Sequence, residues 1–557
     1  MSINVQERVL KIPIPLSGAD GSSVEECTLE LPPGFPEVHK IVYAEGLVCP
    51  EEPVFELGQV ILKGTVDIGI IYAAKGGEQL AFKGVEFPKA LEYVIPVDLG
   101  GEVAPQTQIS ASVQVESVTA SAGKDKTIKC DLVLAYEVEA AQLTETRVLT
   151  DITGADLKVN VTKESKEIKS FVTPLALEKA IEASLVLAKA DPPIAELLRV
   201  GVKPRIDKSR CLAGKVIVEG ELDFELLYQP QQPEPPQPEQ KDEPQGEESE
   251  ADEDFLTDFS EAAPSVPKIV KKEISAGAKF MLSQDVSGLK PDMTPELKVA
   301  VTGCTAKAVA AEKVEATVLL QAKGAVYEEF SLETVVSAET EGEERVDLNR
   351  RLFNVPQTAA ETHKELVVTG SPGIAASKSE LKDVLSVRSK PKVSQCKVAQ
   401  DKITVGGKVH LDVLYLGENE LGEEVLDSLS IDHGFEFKET FELAGVEPGM
   451  LVKVDANVTT AAVNVLDPFT LEANILVTLD IEAVDVVETE LVMEAALAVP
   501  APKDGASIRV VVVQKGDTLW KLARQYGTTV EFLAEYNKLE DTDELAVGQR
   551  LRIPSVG

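Results

Sequence analysis

Histidine and cysteine carry much of the acid–base, nucleophilic and metal-binding chemistry of proteins, and both are sparse in this 557-residue chain. The four histidines are far apart: His39, His363, His410 and His433. The six cysteines are also scattered, with no C-x-x-C pair among them: Cys27, Cys49, Cys130, Cys211, Cys304 and Cys396. The sequence therefore predicts reduced, partly buried thiols, with no disulfide framework, no metal site and no cofactor.

The acidic residues do not suggest catalysis either. A hydrolase needs a Cys–His pair or a pair of carboxylates facing one cleft. Here the acidic residues mostly alternate outward along strand-like segments or collect in one Pro-rich stretch, as solvated residues do. Neither a nucleophile elbow nor an H-E-x-x-H motif is present. We expect no catalytic residue and no enzyme activity.

The charge balance narrows the range of partners. With 55 basic and 94 acidic residues, the chain has a formal charge of -39. That charge argues against nucleic-acid binding and against docking on anionic lipid. No segment approaches the roughly 18 apolar residues of a membrane span, and the first residues lack the basic and apolar parts of a signal peptide. We expect a cytoplasmic protein.

A strand-like segment occurs three times, each time with a glycine eight positions before a tyrosine: Gly64–Tyr72, Gly220–Tyr228 and Gly407–Tyr415. Apolar residues alternate between the glycine and the tyrosine, which is typical of a strand with one buried face. The plain interpretation of the two residues is structural. The glycine would lie where the strand kinks, and the tyrosine would be half-buried at its end.

Two other patterns keep register with this strand. Upstream, apolar residues at offsets 0, 3, 4 and 6 predict a short helix in each copy, over 38–44, 194–200 and 381–387. Downstream, each copy has a closing strand, at 128–132, 314–318 and 471–475. The chain is therefore a threefold repeat of about 155 residues, the domain size expected from its length.

The middle copy carries an insertion. Residues 229–267 are rich in Pro, Gln and acidic residues and have few apolar ones, so they cannot offset their ordering entropy and we predict disorder. A solvated spacer is the plain interpretation. Its aromatic island, Phe255–Phe259, is the one place where we would look for a short partner-binding motif.

We predict a mainly β, multidomain fold of three sandwich- or barrel-like repeats and a small C-terminal domain. The expected boundaries are N-terminal strands 1–35, repeat 36–140, connector 141–191, repeat 192–328, connector 329–376, repeat 377–490, linker 491–507 and C-terminal domain 508–557.

The C-terminal domain has the pattern of a compact βααβ unit. A strand over 508–513 leads through Gly516 and Asp517 into a helix, with Asp517 or Thr518 as its N-cap. A capping box at 528–531 starts a second helix, and a strand over 548–554 closes the unit. This domain holds seven basic and seven acidic residues, so the negative charge lies in the repeats and the insertion.

The Gly-Asp-Thr-Leu turn, the Thr-Thr-Val start and the Val-Gly-Gln-x-Leu-x-Ile-Pro end closely resemble the LysM domain. This resemblance implies binding to N-acetylglucosamine polymers such as peptidoglycan, in a groove between the two helix-flanking loops. Leu519 or Leu539 would pack against acetyl methyl groups. Binding to a protein is the open alternative, and turn, cap and core roles are the plain interpretation. The candidate residues are Gly516, Asp517, Thr518, Leu519, Asn537, Lys538 and Leu539.

The three repeats resemble the SPOCS domain, and their order before a LysM domain is similar to the SipL-like, SpoVID-related spore coat morphogenetic proteins. This resemblance implies a non-catalytic scaffold at the forespore surface in the mother-cell cytoplasm. Its partners would be the basement-layer ATPase of the coat, other coat proteins and an N-acetylglucosamine-containing glycan or precursor. The alternative is a peptidoglycan-binding cell-wall protein or a hydrolase targeted by LysM.

Overall fold

In the computed structural model, most residues of the chain are described. They are 2–56, 58–74, 81–99, 107–155, 158–231, 269–340, 345–375, 378–420, 422, 424–498, 507–539 and 545–555. The predicted disordered insertion at 229–267 and its aromatic island lie almost wholly outside them.

The repeats fold as three β-sandwiches, which confirms the predicted fold class. The first contains β1 Ile3–Glu30, β2 Val38–Pro50, β3 Val54–Glu56, β4 Gln59–Ala74, β5 Ala81–Val97, β6 Thr107–Ala122 and β7 Thr127–Gly154. The second contains β8 Val159–Val186, β9 Ile194–Leu212, β10 Lys215–Pro230, β11 Val270–Asp285, β12 Thr294–Ala310 and β13 Lys313–Thr340. The third contains β14 Val346–Gly370, β15 Glu380–Ala399, β16 Lys402–Glu418, β17 Glu424–Ile431, β18 Glu436–Glu442, β19 Leu451–Asp467 and β20 Thr470–Leu497.

The two sheets of each sandwich have the same plan in all three repeats. One sheet has the strand orders β1-β7-β6, β8-β13-β12 and β14-β20-β19. The other is centred on the strand that carries the Gly and Tyr of the repeat, namely β4, β10 or β16. The facing residues alternate inward and outward, and the inward ones form a separate apolar core in each sandwich.

The repeated glycine and tyrosine have specific packing roles. A Cβ added at Gly64, Gly220 or Gly407 would lie within 2.7 Å of an aromatic side chain on one neighbouring strand and of a carbonyl oxygen on the other. The glycine therefore makes room for a ring that crosses the strand. Each tyrosine has 0% exposure, so the expectation of half-burial is wrong. The tyrosine hydroxyl forms a hydrogen bond with a residue 36 positions earlier in the chain: Tyr72 and Tyr228 donate to the Pro36 and Pro192 carbonyls.

The three predicted short helices are strands instead: they lie in β2, β9 and β15. Each of these three segments contains two register shifts, and each shift leaves one residue unpaired. Because the alternation of buried and exposed residues is displaced at each shift, the apolar residues acquire a helix-like spacing. The second shift leaves Val42, Leu198 or Leu385 out of the ladder. These bulged residues turn away from the sandwich core into a different cluster.

That cluster, which we call the hub, joins the three sandwiches. Every repeat contributes three residues at equivalent register positions, and all are at most 6% exposed. They are Val42, Leu198 and Leu385; Ile71, Leu227 and Leu414; and Phe82, Ile269 and Leu426. Burial of each such side chain contributes about 1.5–3 kcal/mol.

The first and last strands of each sandwich continue as two-stranded ribbons, and the three ribbons pack together as the stem. The stem consists of 3–15, 141–154, 159–171, 327–340, 346–358 and 484–497. All six segments contribute to one apolar cluster: Leu10, Ile12, Val148, Ile168, Leu332, Val355 and Leu491. The expected connectors 141–191 and 329–376 therefore consist largely of stem and sandwich strands, and β20 occupies the start of the expected linker 491–507.

Candidate functional site

The C-terminal domain has the predicted β-α-α-β order. Its elements are β21 Ser507–Val512, α1 Leu519–Gln525, α2 Val530–Asn537 and β22 Arg550–Ser555. β21 and β22 pair in antiparallel fashion, and the helices pack on them around a buried core. The core residues are Val513, Leu519, Leu522, Ala523, Leu533, Ala534, Leu551 and Ile553.

The turn before α1 is stabilised by hydrogen bonds between residues close to it in sequence. Gly516 has a φ of +92°, a left-handed conformation that favours glycine. The Asp517 amide donates to the Gln514 carbonyl at 3.0 Å, and the Gln514 amide donates to Asp517 Oδ2 at 2.8 Å. The Lys521 ammonium donates to the Gly516 carbonyl at 3.1 Å. Asp517 is therefore a turn-closing residue.

Both helices begin at a threonine cap. Thr518 Oγ1 accepts from the Lys521 amide at 3.2 Å, which settles the first N-cap in favour of Thr518. Thr529 Oγ1 accepts from the Phe532 amide at 3.2 Å. The second cap is thus Thr529, one residue later than the predicted capping box.

Two of the candidate binding residues are structural. Leu519 is 1% exposed, and its side chain packs inside the core of the domain. The Asn537 amide nitrogen donates to the Leu533 and Arg552 carbonyls at 2.8 and 2.9 Å. Its Oδ1 accepts from the Arg552 amide at 2.6 Å. Asn537 therefore fastens the end of α2 to β22.

The remaining candidates are accessible to different degrees. Lys538 caps α2 in a left-handed conformation, with φ 54° and ψ 48°, and its side chain is exposed. Gly516 is exposed, whereas Thr518 and Leu539 are half-buried. Leu539 packs against the core cluster that contains Leu519, so the turn before α1 and the segment after α2 meet through that cluster. Accessible ligand groups on these two segments are thus the Gly516 backbone, the Thr518 side chain and the Lys538 ammonium.

A shallow cleft, which sequence patterns did not predict, lies between this domain and the end of the stem. Trp520, Arg524 and Thr528 line one side, and Asp347 and Leu497 line the other. The Arg524 guanidinium lies 5.6 Å from the Trp520 ring centroid. Burial, reinforced by the negative charge of Glu531, raises the pKa of Asp347.

Thr528 is 5% exposed, and its hydroxyl has no hydrogen-bond partner among the described residues. It lines the cleft, whereas the seven candidate residues are absent from the lining. The cleft and the candidate segments are therefore separate surfaces of the C-terminal domain.

The described ranges contain no cluster of three or more His, Cys, Asp or Glu side chains suited to a metal ion. Over the same ranges, neither helix has the length and apolar character needed to cross a membrane.

Comparison with known families identifies two kinds of domain. Residues 511–554 match the LysM domain. Residues 193–309 and 380–466 match the SipL, SPOCS domain. These segments fall in the second and third sandwiches, and the first sandwich shares their topology, hub positions and Gly/Tyr strand.

The curated relatives match over short segments. A probable endopeptidase p60 of Listeria seeligeri is 49% identical over 51 residues, which is 9% of this chain and 10% of that protein. SpoIVD-associated factor A of Bacillus subtilis is 39% identical over 51 residues, 9% of this chain and 13% of that protein. The cell wall-binding protein YocH of Bacillus subtilis is 41% identical over 61 residues, 11% of this chain and 21% of that protein.

This chain thus spans about a tenth to a fifth of the length of those relatives. No solved structure matches it. Among those relatives, one is named as SpoIVD-associated and one as cell wall-binding. By its matched segments and its fold, the chain combines β-sandwiches of the SipL, SPOCS type with a C-terminal LysM domain.

Proposed function

We propose that this chain is a non-catalytic scaffold for coat assembly at the forespore surface, in the mother-cell cytoplasm. Its LysM domain would dock to a coat morphogenetic partner, to an N-acetylglucosamine-containing glycan, or to both. The observation that carries the proposal is the architecture: a body of three sandwiches, joined by the hub and the stem, ends in a single LysM domain. The partners we propose are the basement-layer ATPase of the coat and other coat proteins.

The geometry supports a division among the seven candidate residues. Leu519, Asn537 and Asp517 shape the LysM domain, since their side chains are engaged within it. Gly516 and Lys538 are exposed and would meet the ligand. Thr518, which is half-buried and also caps α1, would meet it at the same turn, with Leu539 at the edge of the core. An exposed ammonium suits an acidic protein surface or a lactyl or phosphate group of a glycan equally well.

The partner test is a pull-down from sporulating cells with the full chain, its Lys538→Ala variant and a matched Lys279→Ala control. Lys279 lies on β11 in the second sandwich, and its side chain is 83% exposed. We expect coat proteins to be retained by the wild type and by Lys279→Ala and to be depleted by Lys538→Ala. Equal recovery of the same proteins by all three would contradict docking through Lys538.

The glycan test is calorimetric titration of the same three proteins with a chitin oligosaccharide. Trp520 is the only tryptophan of the chain and lies in the stem-facing cleft, so its emission reports whether that cleft changes. Heat release that Lys538→Ala weakens, with constant Trp520 emission, would support binding at the candidate segments. No heat release, together with retained coat proteins, would assign LysM to protein binding alone.

A peptidoglycan zymogram distinguishes the proposed scaffold from the alternative, a cell-wall hydrolase targeted by LysM. The probable endopeptidase p60 proteins match this chain over only about a tenth of its length. Clearing of peptidoglycan by the purified full chain would overturn the scaffold proposal.

A further inference from the structure

The polar residues beside the hub differ between repeats at positions that are structurally equivalent. Tyr43, Arg199 and Ser386 share one position, since they pair with the equivalent residues Ile71, Leu227 and Leu414. Glu45, Gly201 and Arg388 share the position two residues later. The apolar hub is thus threefold symmetric, whereas its polar surroundings are not.

Arg199 contacts all three sandwiches. Its Nε lies 2.8 Å from Glu45 Oε1 of the first sandwich, and its Nη1 lies 2.8 Å from Glu225 Oε1 of its own. The same Nη1 donates to Ser386 Oγ of the third sandwich at 3.1 Å. Arg388 of the third sandwich completes the network, since its Nη1 lies 2.8 Å from Glu45 Oε2 of the first sandwich. Each repeat therefore supplies a different part of one polar network.

Two ion pairs farther from the hub have reversed charges at equivalent positions. Lys83 of the first sandwich lies 3.0 Å from Glu196 of the second. Asp427 of the third sandwich lies 3.1 Å from Lys40 of the first. Lys83 and Asp427 are equivalent because they pair with the repeated tyrosines, Tyr72 and Tyr415. Lys40 and Glu196 are equivalent because they pair with Ala73 and Gln229, the residues that directly follow Tyr72 and Tyr228.

The reversal makes other arrangements unfavourable. If a second copy placed its first sandwich against that of the first copy, Lys83 would face Lys40. If the third sandwich docked on the second, Asp427 would face Glu196. In both cases like charges replace opposite ones, and Arg199 loses part of its set of acceptors.

We propose that these charges specify the order of the three repeats, so that the first sandwich packs against the second and the third rather than against the first sandwich of a second copy. The apolar hub would tolerate either arrangement, because its three equivalent positions carry apolar side chains in every repeat. The charges provide the discrimination that the hub lacks. This role is independent of what the LysM domain binds.

The test exchanges charges in the full chain without altering its net charge. One half-swap is Lys83→Glu with Asp427→Lys, and the other is Glu196→Lys with Lys40→Asp. Lys378 of the third sandwich also lies 3.5 Å from Asp427, so Lys378→Met is introduced into every protein compared, the reference included. In that background each half-swap makes both interfaces repulsive, and the four changes together restore both ion pairs with reversed polarity. Two differently tagged preparations of each protein are unfolded together and refolded, and complexes that contain both tags are captured and quantified.

We expect little mixed complex from the reference and about two- to tenfold more from each half-swap, the range that two partly exposed ion pairs can supply. The fourfold swap should return to the reference level, and salt should raise exchange in the reference because it screens the pairs. If a half-swap fails to refold, recovery of a monomer by the fourfold swap supports the proposal equally. Half-swaps that exchange no more than the reference, or a fourfold swap that behaves like either half, would overturn it.

Discussion

Arg199 and Glu45 form a charge-assisted hydrogen bond of 2.8 Å between two different sandwiches, and their side chains are only 10% and 20% exposed. Burial by itself would disfavour both charges. The guanidinium groups of Arg199 and Arg388 outweigh that effect at Glu45 and hold the pKa of its carboxyl below its ordinary value. The pair therefore remains charged inside the protein and ties the second repeat to the first.

Replacement of Arg199 by methionine should destabilise the body strongly. The change keeps much of the side-chain volume but leaves Glu45 and Glu225 without their shared partner. Loss of one member of a buried ion pair typically costs about 3–5 kcal/mol. The free energy of unfolding from urea titration, followed by circular dichroism, measures the effect.

Arg205→Met is the matched control, because Arg205 also lies on β9 and pairs with Glu221, but its side chain is 55% exposed. We expect the control to cost less than about 1 kcal/mol. Equal losses for the two variants would show that the Arg199 network does not hold the repeats together.

The same network predicts how stability depends on pH. The folded-state pKa of Glu45 lies below its ordinary 4.5, so the folded protein binds fewer protons there than the unfolded chain. The stabilisation from this carboxylate is complete above pH 4.5 and is lost as the pH falls through the lowered value. Glu45→Gln should therefore melt below the wild type at pH 7, and the gap should narrow between pH 4.5 and 3. A gap that stays constant over this range would contradict the assignment.

The repeat and the β architecture could be predicted because they depend on local patterns of apolar residues in the sequence. The alternation between Gly64 and Tyr72 fixes one buried face, and its recurrence fixes the number of sandwiches. The helix prediction over 38–44 failed for an equally local reason. Two bulges in β2 displace the alternation, and the bulged Val42 serves the hub instead of the sandwich core.

The hub and the stem could not be predicted from the sequence, because they depend on contacts between segments that are far apart along the chain. Glu45 and Arg388 are 343 positions apart, and neither occupies a position that is unusual for a strand. In the LysM domain the turn and both helices were predictable from caps and spacing. The burial of Leu519 and the internal bonds of Asn537 were not, since a family pattern does not separate residues that shape a site from those that touch a ligand.

The repeated glycine should resist even the smallest enlargement. A Cβ at Gly220 would lie 2.2 Å from the Arg205 carbonyl oxygen and 2.6 Å from Phe280 Cζ, so backbone and ring must both shift. Gly220→Ala should cost about 1–3 kcal/mol in the free energy of unfolding.

Gly201→Ala is its control, because the nearest atoms to a Cβ there are 3.4 Å away or more. We expect a change within about 0.5 kcal/mol at that position. Thermal and urea unfolding of the two alanine variants measure the difference, and a neutral Gly220→Ala would remove the packing role assigned to the glycine.

In the LysM domain, Asn537 and Lys538 are neighbours with opposite expected effects. Asn537→Ala removes three hydrogen bonds, two of which join α2 to β22, and should destabilise the domain by about 2–3 kcal/mol. Lys538→Ala removes an exposed side chain and should leave stability within about 0.5 kcal/mol of the wild type while it weakens binding of the coat partner or glycan. Urea unfolding followed through Trp520 emission reports the LysM domain, because no other tryptophan is present in the chain. If Asn537→Ala were as stable as the wild type yet deficient in binding, Asn537 would belong to the ligand-contacting residues after all.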